Sequence, residues 1–107
     1  MPRIGFGTAA LGWDTGRVVE QALEVGYRLL DSAQAREWYR EDLVGEAVLK
    51  WKEDHEEEED LFLVTKIHPR DFGEQRTKDA VRLSIQIMGN VDLLLIHSPR
   101  CWSGMCP

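Results

Sequence analysis

Cysteine is scarce in this chain: Cys101 and Cys106 are the only two, and both fall within the last seven of 107 residues. Without paired histidines they make no zinc site, and no metal is expected. A bridge between them would staple only a trivial loop, so reduced thiols are the expectation. Long apolar runs are also missing. No stretch reaches the roughly 18 apolar residues of a membrane span, and Met1-Pro2-Arg3-Ile4-Gly5 has no apolar signal core. No membrane partner is expected, and a cytoplasmic location is. Positive charge is in deficit, with 13 Lys and Arg against 19 Asp and Glu and a net charge of −6. That balance argues against a nucleic-acid partner. Part of the acidic excess lies in the run Glu56 to Asp60, which reads as a solvated helix end or loop. Linkers, low-complexity segments and exact repeats are absent, and the length allows one small domain.

What is present is an alternation. Residues 2–7 (PRIGFG) form a short strand candidate entering a glycine-rich turn. Asp14 and Thr15 are good N-cap residues for a helix whose Val18, Val19, Ala22 and Leu23 form one stripe, closed by Gly26. Tyr27 to Asp31 is a second short strand ending on an acid. Val44, Ala47, Val48 and Trp51 mark one face of a second helix. Leu61 to Lys66 is a nearly continuous apolar strand ending on a lysine. A third helix carries Ala80, Val81, Ser84, Ile85 and Met88 on one side and closes at Gly89; Val91 to Ile96 is a last apolar run, ending on His97.

The order is β-α-β-α-β-α-β, an α/β chain. Short apolar strands separated by amphipathic helices imply a parallel sheet covered by helices. Right-handed crossovers between sequential strands put every helix on the same side. That is the beginning of a (β/α)8 barrel, and this length makes a parallel half barrel, a partial TIM barrel. Three of the four strands end on Asp31, Lys66 and His97, and in such folds the C-terminal strand ends line the active site. Taken singly, Asp31 also reads as a turn cap, Lys66 as a surface lysine and His97 as a hydrogen-bonded structural histidine. Three different ionisable groups on one rim are a stronger signal.

Five ordered motifs carry a family resemblance. Gly5-Phe-Gly-Thr8 looks like the glycine-threonine turn after the first barrel strand of aldo-keto reductases. Ala22-Leu-Glu-Val-Gly-Tyr-Arg-Leu-Leu-Asp-Ser-Ala33 is similar to the segment leading into the family's catalytic Asp, and Val44-Gly45-Glu46-Ala47 to the helix after its catalytic Tyr. Leu63-Val-Thr-Lys66 resembles the catalytic-lysine strand, and Val91-Asp-Leu-Leu-Leu-Ile-His-Ser-Pro99 the catalytic-histidine strand. Residues 1–107 then correspond to the N-terminal half of such a domain, strands one to four of eight, apparently truncated.

The resemblance implies an NAD(P)H-dependent oxidoreductase that reduces small-molecule aldehydes or ketones, with catalytic Asp31, Tyr39, Lys66 and His97. It also implies contacts from Gly7, Thr8 and Asp31 to a cofactor, NADPH, held mainly by later strands. Trp13 and Trp38 are candidate walls of the substrate pocket. Asp31, Lys66 and His97 transfer directly. The tyrosine does not: the family places it five residues after the Asp, where Arg36 stands here, and counting back from Val44-Gly45 gives Trp38. An insertion of about two or three residues has shifted the register, and Tyr39 is the only nearby phenol. A free phenol, with a pKa of about 10, is a weak acid at neutral pH, and a neighbouring ammonium favours its anion. Lys66 would be that cation, Asp31 would hold it charged, and His97 would donate to the carbonyl oxygen.

Two other readings stay open. Gly5-x-Gly7-x-x-Ala10 matches the dinucleotide-binding fingerprint, with Asp31 about twenty residues further on, as in a Rossmann-type half-domain. Alternatively the chain is a catalytically inactive truncated or spliced product acting through protein interaction. Its open half-barrel edges then allow self-association.

Overall fold

The computed structural model describes residues 1–55 and 60–101. Four strands, β1 (Gly5–Gly7), β2 (Leu29–Asp31), β3 (Phe62–Ile67) and β4 (Leu93–Ile96), alternate with three helices, α1 (Thr15–Val25), α2 (Glu41–Asp54) and α3 (Glu74–Met88). Short 3-10 turns at Gly12–Asp14 and Pro69–Asp71 precede α1 and α3. The sheet order is β1-β2-β3-β4 and every pairing is parallel. No described helix is long and apolar enough to cross a membrane.

The register sorts each strand into two faces. Phe6, Leu30 and Leu63 pair in one row and face the helices, where Leu30 and Leu63 join Val19, Leu23, Val44, Ala47, Val48, Trp51 and Met88 in the core. Fully burying one such leucine contributes about 1.5–3 kcal/mol. Asp31, Val64 and Leu93 pair in the next row, with Lys66 and Leu95 two residues further on. Because side chains alternate along a strand, this second set faces the concave side of the sheet.

Helix ends follow the expected chemistry. The α1 stripe buries Val19, Ala22 and Leu23, and Gly26 closes it at φ 114°, a left-handed position that glycine takes without steric cost. On α3 the anticipated stripe is only partly covered: Ser84 and Met88 are buried, whereas Ile85 faces solvent. The helix layer stops at α3, so the side of that helix turned away from α2 has no neighbour among the described residues.

Two expectations are corrected. A Rossmann-type sheet places its fourth strand on the far side of β1, in the order 3-2-1-4, so that β1 lies inside it. Here β1 is an edge strand in a sequential order, and a 3-10 turn separates its glycines from α1. The fingerprint is therefore a loop that happens to be glycine-rich. Cys101 is disulfide-bonded rather than reduced. The expectation rested on the small stabilisation from a short loop. Cys106 lies outside the described residues, as do Glu56 to Glu59 of the acidic run.

Candidate functional site

Lys66 is the centre of the concave face. Its ammonium donates to Asp31 Oδ1 at 2.7 Å and to the Ser32 carbonyl at 2.9 Å. It also stands over the Tyr39 ring, 4.9 Å from the centroid. The lysine side chain is only 13% exposed, against 39% for Asp31. A cation that well covered needs its partners, and a carboxylate, a carbonyl and an aromatic face supply them. The pairing follows from register: Asp31 ends β2 opposite Val64, and Lys66 projects from the same face of β3 one pleat later.

His97 follows the last residue of β4, and its N–H donates to the Ile67 carbonyl at 3.1 Å. Its ring meets Tyr39 edge-on, with centroids 5.8 Å apart and planes at 72°. Burial lowers the imidazole pKa below its usual value, the Lys66 charge lowers it further, and Asp31 opposes both. The neutral ring has one N–H to give and one lone pair. Nδ1 is buried without a hydrogen-bond partner among the described residues.

The loop from 32 to 40 decides which aromatic reaches this cluster. Trp38 and Tyr39 both donate their N–H to the Ala35 carbonyl, at 2.9 Å each, which turns the chain and sends Tyr39 toward Lys66 and His97. Arg36, the position reached by counting forward from Asp31, is exposed on the other side of the loop. Trp38 lines a cleft of about 280 Å³ together with Ala35, His68, Pro69, His97 and Ser98. Trp13 does not line it. That indole is 84% exposed in the 3-10 turn before α1, with the Arg40 guanidinium 4.4 Å over its ring.

Gly7 and Thr8 leave β1 beside Asp31. Thr8 is fully buried, and both its N–H (3.0 Å) and its hydroxyl (2.9 Å) donate to the Asp31 carbonyl. It therefore acts on the backbone of the acid rather than facing an open surface. Gly7 pairs with Asp31 in the same row, and a Cβ built there meets nothing within 4 Å. The concave space in front of this strand end is open to a flat group.

The structure thus brings together Asp31, Lys66, Tyr39 and His97, with Gly7 alongside, and leaves Trp13 apart. It also reveals polar residues that were not anticipated. Behind the sheet, Glu41 accepts hydrogen bonds from Thr65 (2.6 Å) and Ser84 (2.9 Å), and Gln34 donates to Ser84 at 2.8 Å. The available signal was positional. Glu41 stands two residues after Tyr39, and Thr65 one before Lys66.

Comparison with known proteins follows this geometry. Residues 3–107 match the model of the Aldo/keto reductase family. An aldo-keto reductase of Mycobacterium tuberculosis is 40% identical over 116 residues, covering 98% of this chain and 39% of that protein. An uncharacterized oxidoreductase of Schizosaccharomyces pombe is 37% identical over 103 residues, covering 92% and 35%. Among solved structures, the aldose reductase of Schistosoma japonicum superposes with a TM-score of 0.82 at 33% identity, over 92% of this chain and 34% of that one. A Bombyx mori aldo-keto reductase in complex with NADP gives 0.85 at 24% identity, over 100% and 38%, a likeness of fold alone. These neighbours are (β/α)8 barrels, so the four-stranded sheet is a partial barrel. The chain spans between about a third and two fifths of the length of the curated relatives it matches.

Proposed function

The chain belongs to the aldo/keto reductase family, and from that membership we propose that its strand-end cluster is the proton-donating centre of an NAD(P)H-dependent oxidoreductase. The substrates in this reading are small aldehydes or ketones. The observation that carries it is Lys66, whose ammonium is shared between the Asp31 carboxylate and the Tyr39 ring. When bound, a reduced nicotinamide supplies the hydride. Gly7 and Asp31 are the residues that would border it, because Gly7 leaves the concave face open next to the acid. Thr8 contributes by holding the Asp31 backbone.

Hydride addition to a carbonyl carbon leaves negative charge on the oxygen, and a proton must meet it. Tyr39 gives that proton. Lys66 places positive charge beside the phenol as its proton leaves, and Asp31 holds the lysine in place. His97, favoured in its neutral form, has an N–H to donate to the carbonyl oxygen and so orients it. Trp38 walls the cleft beside His97.

The test joins residues 1–107 to the remaining strands of the Mycobacterium tuberculosis relative and follows NADPH oxidation with a panel of aldehydes. Tyr39→Phe and Lys66→Met are each expected to lower kcat by about 10²-fold or more, the usual share of a general acid. Unchanged rates in both variants would sink the assignment.

A second reading rests on a separate observation, the exposure of all four residues of β4. In it the 107-residue chain does no chemistry alone and acts by association through its open sheet edge. The isolated chain is then expected to bind NADPH poorly. Fluorescence titration giving micromolar binding to a folded monomer would remove this reading.

A further inference from the structure

The loop bearing Tyr39 is held by backbone bonds in both halves, the second by the turn at Ala35 and by Ala10 N–H donating to the Trp38 carbonyl at 2.6 Å. Its first half is fixed by backbone bonds: Ser32 N–H donates to the Val64 carbonyl at 2.8 Å, and Gln34 N–H to the Lys66 carbonyl at 3.2 Å. After Tyr39 the chain enters α2 at Glu41, and there a side chain takes over. The Glu41 carboxylate reaches behind β3 and accepts from the Thr65 hydroxyl at 2.6 Å and the Ser84 hydroxyl at 2.9 Å. Ser84 in turn accepts from Gln34 Nε2 at 2.8 Å, and the same amide nitrogen donates to the Ala80 carbonyl at 3.0 Å. Thr65 and Ser84 are fully buried, and Gln34 nearly so.

We infer that Glu41 is a positioning residue that sets the place of Tyr39 against Lys66 and His97. The geometry is direct. Glu41 lies two residues after Tyr39 and its carboxylate is bonded to Thr65, the residue before Lys66, so one side chain ties the phenol-bearing segment to the lysine-bearing strand. The donors are arranged one way only. Two hydroxyls point at the same carboxylate oxygen, and Gln34 Nε2 donates to Ser84, so the Glu41 side chain stands there as an oxygen acceptor. The first turn of α2 also favours negative charge at that position. Because Thr65 and Ser84 are buried, losing the acceptor strands two hydroxyl donors, and the segment's cheapest relief is to move. The turn at Ala35 aims the tyrosine, and Glu41 adds a side-chain anchor just downstream of it.

This inference rests on the proposed site, and the test separates the two. Tyr27→Phe leaves Tyr39 as the single phenol. In that background, ring-labelled tyrosine NMR reads cross-relaxation from the Tyr39 ring to the His97 ring and the Lys66 side chain. The parent chain should show these contacts. Glu41→Leu should lose most of their intensity while dispersed core methyl signals remain, and Glu41→Gln, which keeps an acceptor oxygen, should restore them. If Glu41→Leu does not fold, Thr65→Val and Ser84→Ala each remove one of the two bonds and should weaken the contacts partially. Full contacts in Glu41→Leu, or in both single-bond variants, overturn the positioning role and leave the site intact. Their absence from the parent chain overturns the site reading, and the inference with it.

Discussion

At the residue scale, His97 and His68 are the groups whose titration the fold perturbs near neutral pH. Burial lowers the pKa of both. Lys66 adds to the effect at His97 against the pull of Asp31, and Arg70 adds to it at His68 against Glu37. His68 Nδ1 also accepts the Arg70 N–H at 3.1 Å, a bond available only to the unprotonated nitrogen. A histidine with a lowered folded-state pKa binds fewer protons folded than unfolded in the range just below pH 6.5. Its stabilising contribution is present above that value and lost as pH falls through the lowered one. Urea unfolding at pH 7.5 and pH 5 should therefore show a less stable chain at the acid end. Combining His97→Gln with His68→Asn should flatten that part of the profile, and an unchanged slope in the double variant would count against this origin. The same scale holds what was hardest to read in advance. Asp31, Lys66 and His97 were legible because each closes a short apolar run in the sequence, although β3 continues one residue past Lys66 and β4 stops one before His97. Tyr39 was legible only as the nearest phenol, because its place depends on a turn at Ala35 that no periodicity marks.

At the element scale the tightest feature is the crossing of α2 and α3. Gly45 sits in α2 where an added Cβ would fall well inside contact distance of the Ile87 carbonyl oxygen and close to the Met88 Cα. Elsewhere in a helix, Gly→Ala stabilises by roughly 0.5–1 kcal/mol through backbone entropy. Here the obstacle is backbone, which cannot swing aside, so Gly45→Ala should instead destabilise by about 1–3 kcal/mol. Guanidinium unfolding of the variant decides the sign, and a gain in stability would show that the helices can separate at no cost. Elements themselves were readable in order and type, since apolar stripes at helical spacing and short apolar strands alternate without interruption. Ile85 marks the limit of that reading: its stripe position is right for a core, but a stripe states which side of a helix is apolar, not whether a neighbour covers it. The pairing of Glu41 with Thr65 was illegible for a similar reason. Hydrogen bonds between elements 24 residues apart leave no periodic trace.

On the scale of the whole molecule, the sheet has two free edges and one open face among the described residues. Leu93, Leu94, Leu95 and Ile96 of β4 are 37%, 37%, 40% and 68% exposed, and no strand pairs with the outer side of β4 among the described residues. A parallel sheet is stable with both faces covered, and a row of unpaired N–H and C=O groups beside four apolar side chains is a template for another strand. Two copies related by a twofold axis along the strands would set β4 of each against β1 of the other, keep all pairings parallel and reach eight strands, the number that closes this barrel. The net charge of −6 per chain opposes that association, so it should strengthen with salt. Sedimentation velocity on the 107-residue chain should give a species heavier than 12.3 kDa whose share grows with concentration. Leu94→Lys with Ile96→Lys places charge along the edge and should return the monomer. A parent chain that sediments as a folded monomer at every concentration and salt would show that the open edge is tolerated as it stands.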